Sequence, residues 1–195
     1  MPRQVDHESR RRRIADAVCQ LADESGLEGV TLRDVAARAE VSMGAVQRCF
    51  RTKEEMLVFA LTHIGEQITA RMTTRLASSP AQSARTTLGH AATEVALLQE
   101  QQRAEARVWL AFVAQAAVTP RLAASLRDSY AELQQLFARL IAEATGTATP
   151  QRSARALLAL TDGLTTHVLI GHLSPTEALD VLDDHLTRLW GEAPA

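Results

Sequence analysis

The stretch from Thr31 to Lys53, TLRDVAARAEVSMGAVQRCFRTK, constrains this chain more than any other, because two short helical patterns meet there across a tight turn. Leu32, Val35, Ala36 and Ala39 recur at helical spacing, and Thr31 with Asp34 resembles a capping box with Asp in place of Glu. A helix therefore starts at Thr31 and ends near Ala39. Val41 then anchors the turn, Ser42 is a good N-cap, and Val46 and Phe50 fall four apart on one face of the next helix. At about 100° per residue, Gly44, Gln47, Arg48 and Arg51 turn to the opposite side, with Met43 and Ala45 on the flanks. This is a helix-turn-helix, and its outward face is shaped to reach a DNA groove.

The outward residues suit that partner. Arg48 can pair with a phosphate or fork onto a guanine edge, and Gln47 can donate to and accept from an adenine. Gly44 lets the helix backbone approach the sugar-phosphate chain, and the first-turn N–H groups can meet a phosphate. Thr52 and Glu55 form a second capping box, so Lys53 sits in the first turn of a new helix, where its ammonium can hold another phosphate. Upstream, Arg10, Arg11, Arg12 and Arg13 precede a helix with the buried stripe Ile14, Val18, Leu21 and Ala22; such a basic run adds affinity without sequence information. A solvated face is the alternative reading of Arg48 and Arg51.

The order of these parts, with TLRDVAARA, VSMGAVQRCF and a capped helix opening TKEEML, resembles the DNA-binding domain of the TetR family of bacterial regulators over about the first 55 residues. The resemblance implies recognition-helix roles for Ser42, Met43, Gly44, Ala45, Gln47, Arg48 and Cys49, and backbone contacts for Thr31 and Lys53. Two departures stand out: family members often have Tyr at Gln47 and Gly at Glu40. The first exchanges a phosphate contact for an amide that can read a base. The second adds a negative charge beside the turn.

Charge divides the chain in the same sense. Through Lys53 there are ten Lys and Arg against eight Asp and Glu, and beyond it eleven against fifteen, giving the net −2 overall. The basic end is the DNA end, mildly enough that specific contacts should set affinity. The N-terminus is polar and basic, and no run of about eighteen apolar residues suggests a membrane span, so the expected location is the cytoplasm. Cys19 reads as core, and Cys49 borders the recognition helix, where a redox role stays open.

Beyond Lys53, Ser79-Pro80, Thr119-Pro120, Thr149-Pro150 and Ser174-Pro175 each place an N-cap residue before a proline suited to the first helical position, and Gln82 and Glu177 complete two capping boxes. The patterns between them predict helices over 53–77, 80–100, 103–118, 120–145, 150–170 and 175–190, with no competing strand. The fold class is all-α with about nine helices: a three-helix helix-turn-helix domain at 1–52 and a helical effector-binding and dimerisation domain at 53–195.

From Pro150 to Ile170 apolar and small residues run nearly all the way round, and the last helix repeats an apolar face. One protomer cannot easily bury the first of these, so a homodimer through a four-helix bundle is expected, with Leu157, Leu164, Val168, Val181, Leu182, Leu186 and Leu189 at its interface. The family also dimerises in this way. A two-fold dimer requires a palindromic operator on double-stranded DNA, its half-sites about 34–36 Å apart or a multiple of that.

The middle helices hold Trp109, Phe112, Tyr130 and Phe137 together with Met72, His90 and His167, which read either as plain core or as a pocket. The family resemblance implies a small-molecule cavity there whose occupant shifts the linker helix and loosens DNA binding by linkage. Few charged residues lie among those positions, pointing to an apolar or neutral effector. Enzyme chemistry finds no support: there is no glycine-rich phosphate loop, Glu-x-x-His pair or Cys and His cluster, and no cofactor or metal is expected. His167 and His172, five apart, read as lying on different sides of a helix. The function is thus a dimeric, ligand-released repressor, with a constitutive DNA-binding or protein-interacting helical dimer as the alternative.

Overall fold

Side-chain caps decide where most helices of this protein begin. The Oγ1 of Thr31 accepts from the amide of Asp34 at 3.2 Å, Ser42 Oγ from Ala45 at 3.2 Å, and Thr52 Oγ1 from Glu55 at 3.0 Å. Ser174 and Glu177 close a full capping box, the carboxylate returning to the Ser174 amide at 2.8 Å. Those bonds hold the Glu177 carboxyl below its ordinary range. In the box read at Thr52 the carboxylate of Glu55 reciprocates on the amide of Arg51 instead, at 2.9 Å.

The computed structural model describes residues 2–78 and 83–191. Among them are α1 (Pro2–Ser25), α2 (Leu32–Arg38), α3 (Met43–Cys49), α4 (Lys53–Ser78), α5 (Ala84–Val95), α6 (Arg103–Ala116), α7 (Pro120–Thr145), α8 (Pro150–Leu169) and α9 (Pro175–Gly191), with one 3-10 turn at Glu100–Gln102. The fold is all-α, as the helical periodicities require. The start signal read at Ser79-Pro80 and Gln82 lies outside the described residues, and the α5 cap is Ser83, which accepts from Thr86 at 3.2 Å. Thr149 precedes α8 without a side-chain cap bond.

One predicted helix is corrected. The apolar run through Ala96, Leu97 and Leu98 reads as helix continuing to Glu100, but α5 stops at Val95 and Leu97 takes a φ of 48°. Burial explains why. Leu97 and Leu98 are 3% and 1% exposed, and the Ala96 carbonyl accepts from the buried Thr165 hydroxyl of α8 at 2.7 Å. A tertiary bond thus serves a carbonyl that the broken helix leaves over.

The helices gather into two compact units, Met1–Glu66 with Arg107–Arg127, and Gln67–Ala106 with Asp128–Ala195. In the first, Ile14, Val18, Val30, Val35, Val46, Met56 and Phe112 are buried, and α1, α2 and α3 pack on one another. The guanidinium of Arg38 grips the Glu24 carboxylate with two bonds of 2.8 Å, tying α2 to α1 and holding the Glu24 carboxyl below its ordinary range.

In the second unit α8 packs against α5 and α9 around Leu88, Ala92, Phe137, Ile141 and Leu157. The single chain thus already covers most of the large apolar side chains read as a dimer interface. Leu157, Leu164, Val168, Leu182, Leu186 and Leu189 are all at most 8% exposed within the single chain, and of the seven expected interface residues Val181 alone is exposed. What α8 leaves outward is a stripe of Ala156, Ala159, Gly163 and His167, with Ile170 exposed just past its end, while the half-buried Leu160 packs on the core. Nearby, Arg71 and Arg75 of α4 converge on the buried Glu94, Arg75 at 2.6 Å, while Arg71 also meets Glu105 at 2.8 Å. Burial pushes the Glu105 carboxyl up, with Arg71 partly opposing.

Candidate nucleic-acid interface

Helix α3 is only seven residues long, too short to hold itself together, so its neighbours must fix its pose. Val46 is fully buried, Ala45 and Cys49 are 7% and 6% exposed, and Phe50 closes the helix, its amide donating to the Val46 carbonyl at 2.9 Å. Ser42, Met43, Gln47 and Arg48 face out, with Gly44 between them. The outward set therefore agrees with the sequence reading at those positions. Ala45 and Cys49 depart from it: their side chains pack inward and are not placed to read a base. The signal for Cys49 was present, since it follows Val46 by three residues and shares its face. Cys19 and Cys49 form no disulfide.

Gly44 has room for a methyl group within the chain. The nearest atom to an added Cβ would be Arg48 Nη1 at 3.5 Å, an ordinary contact, and its φ needs no glycine. Glu40 is the reverse case. It has a φ of 53°, the left-handed conformation that glycine adopts without strain, at the C-terminal end of α2. This gives a backbone reason for the family's usual glycine at that position.

The basic run on α1 is divided rather than uniform. Arg11 lays its guanidinium over two rings, 4.8 Å from the Phe50 centroid and 4.3 Å from that of Phe59, the rings themselves 5.4 Å apart. It fastens the end of α3 to α4, a role no local pattern announces. Arg12 pairs with Glu8 at 3.5 Å, and Arg13 donates to the Ala39 carbonyl at 3.4 Å. Lys53 opens α4, half-buried, and the Thr31 hydroxyl is engaged with the Asp34 carboxylate at 2.6 Å. An open groove of about 480 Å³ between α1 and α2 is lined by Leu21, Asp34, Ala37, Arg38 and Glu40. Its two carboxylates disfavour a phosphate there.

These features match a known family over both parts of the chain. The model for bacterial regulatory proteins of the tetR family matches residues 14–58, and that for the BetI-type transcriptional repressor C-terminal region matches residues 84–191. The regulator BetI of Burkholderia thailandensis is 32% identical over 199 residues, 97% of each chain. The chain belongs to the TetR family. The crystal structure of a transcriptional regulator from Rhodococcus sp. Rha1 superposes with a TM-score of 0.84 at 32% identity, over 95% of this chain and 98% of that one. A protein from Saccharomonospora viridis, crystallised in complex with choline, shares the fold at a TM-score of 0.77 and 24% identity, over 92% and 96%. The TetR-family chain is a transcriptional regulator of the BetI repressor type and not an enzyme. Among its described residues no helix is long and apolar enough to cross a membrane.

The residues considered for an effector pocket separate. Trp109 and Phe112 belong to the first unit, Phe112 fully buried, whereas Met72, His90, Tyr130, Phe137 and His167 belong to the second. Phe137 is fully buried, and the half-buried Tyr130 donates its hydroxyl to the Asp162 carboxylate at 2.5 Å. His167 lies on the surface of the single chain.

Proposed function

We propose that this TetR-family chain is a cytoplasmic dimeric repressor that holds a palindromic operator and is released by a small-molecule effector. The observation that carries the DNA reading is the outward set Ser42, Met43, Gly44, Gln47 and Arg48 on a helix whose other face is locked into the core. Arg48 and Gln47 read base edges, Gly44 admits the sugar-phosphate chain, and Lys53 and Thr31 hold phosphates on either side. Dimerisation uses the outer stripes of α8 and α9, including the exposed Ile170 and Val181, instead of the leucines already buried between the two helices. The dyad then sets two copies of α3 about one DNA turn, roughly 34–36 Å, apart.

For the effector, the scarcity of charge among the expected lining positions supports an apolar or neutral molecule. The choline held by the Saccharomonospora neighbour makes that cation the first compound to try against it. A second reading, a constitutive DNA-binding dimer without a ligand, is favoured by the complete burial of Phe112 and Phe137 as core. A thermal shift screen separates the two, because a ligand at 100 times its dissociation constant adds about 2.7 kcal/mol to stability. Shifts with choline or with small apolar compounds support the regulated repressor; none across the panel supports the constitutive dimer.

The deciding experiment is selection of binding sites from a random duplex pool with the wild type and Arg48→Ala in parallel. The reading expects a palindrome enriched by the wild type and lost or degraded in the variant. Enrichment of an asymmetric site, or the same logo from both proteins, would overturn it.

A further inference from the structure

The turn between α8 and α9 brings together two imidazoles that the DNA-binding reading does not use. α8 ends at Leu169, Gly171 takes a φ of 74°, and the amides of His172 and Leu173 both donate to the His167 carbonyl, at 2.9 and 3.2 Å. This wraps the chain back over the last helical turn. The rings of His167 and His172 then lie with centroids 4.9 Å apart and planes tilted by 51°, correcting the expectation that the two residues occupy different sides of a helix. Both residues are exposed within the single chain, His167 at the C-terminal end of the outer stripe of α8.

We propose that His167 and His172 form a two-point chelate for a divalent transition-metal ion of the zinc, nickel and copper class. A metal bound at about 2.0–2.1 Å from a ring nitrogen lies roughly 3.2 Å from the ring centroid. Two centroids 4.9 Å apart then subtend about 100° at a shared ion, between the angles of octahedral and tetrahedral neighbours. The torsion that orients each ring is soft, and exposure leaves it free to turn a nitrogen toward the ion. Imidazole selects this class over magnesium and calcium, which prefer oxygen. Among the described residues no group of three or more His, Cys, Asp or Glu side chains is placed to hold an ion, so the proposed site offers two protein ligands. The ion would pin the left-handed turn and fasten the end of α8 to the start of α9.

The test is isothermal titration of tag-free, chelator-stripped protein with nickel chloride and zinc chloride, for the wild type, His167→Gln, His172→Gln and the control His7→Gln. The expected result is one ion per chain with a micromolar dissociation constant, weakened at least about tenfold by either substitution in the pair and unchanged by the control. Affinity falls on acidification, because protons compete for the same nitrogens. Magnesium chloride gives no heat. Absence of saturable binding in the wild type, or binding that survives in both pair variants, overturns the proposal. Both side chains are exposed within the single chain, so circular dichroism of these variants should match the wild type, and light scattering checks that His167→Gln, on the outer stripe of α8, keeps the wild-type oligomeric state.

Discussion

Helices α3 and α8 show how differently function is written into a TetR-family chain. In α3 the buried face is narrow and fixed by Val46 and Phe50, so whatever is polar and faces out is available to a partner. In α8 apolar and small residues run nearly all the way round the helix, and sequence cannot say which of them meet α5 and α9 and which are left over. The structure assigns Leu157, Leu164 and Val168 to the chain's own core and leaves Ala156, Ala159, Gly163 and Ile170 toward the outside. Small residues are the ones periodicity weighs least. A surface for a second copy can thus be built from residues that look like filler, while the conspicuous leucines serve the fold.

The sharpest way to break this contrast is to place a charge on the outer stripe of α8. A side chain added at Gly163 meets nothing within 4 Å in the chain, so Gly163→Arg is expected to fold normally, run as a monomer by light scattering and lose nearly all operator binding. Leu182→Ala, on the inner face, is expected instead to cost about 2–5 kcal/mol of stability by chemical denaturation while the folded fraction still dimerises. If the two variants exchange these phenotypes, the inner leucines are the interface after all.

On α3 the expected effects are smaller and specific. Gln47→Ala and Arg48→Ala should each lose about 1–3 kcal/mol of discrimination at particular base pairs, read from competition with operator variants. Glu40→Gly should raise stability by about 1 kcal/mol by relieving the left-handed backbone. It should also tighten binding by removing a carboxylate beside the turn. A lower melting temperature would mean that the Glu40 side chain contributes more than its backbone costs.

Gly44→Ala separates fold from function at a single atom. It should stabilise α3 by roughly 0.5–1 kcal/mol while weakening DNA binding, because the added methyl is tolerated by the protein and obstructs only a partner. Unchanged binding would move the DNA backbone away from this position. The smallest effect concerns Glu105. Because burial raises its carboxyl above the ordinary value of 4.5, its contribution to stability is present below that value and lost as pH rises through the raised one. Glu105→Gln should therefore lack this decline, so that its stability relative to the wild type grows just above the usual carboxylate range and is level elsewhere.

These cases mark what the sequence made legible. Caps at Thr31, Ser42, Thr52 and Ser174 are local chemistry, and the helix starts followed from them. The outward face of α3 followed from two apolar positions four apart. The break at Leu97 was hidden, because the hydroxyl that captures the Ala96 carbonyl comes from residue 165. The Arg11 clamp was hidden for the same reason: three residues far apart in sequence meet only in the fold, and a run of arginines looks uniform until one of them finds two rings.

Of the 21 lysines and arginines in the chain, Lys53 alone carries a primary amine, and it stands half-buried at the first turn of α4. The protein thus holds one side chain that an amine-selective acylating reagent can mark, at the place where the domain is proposed to rest on DNA. The reaction rate of that residue, followed by mass spectrometry of the proteolytic peptide that carries it so that the terminal amine is counted apart, with and without duplex, becomes a built-in reporter of occupancy that needs no engineered label.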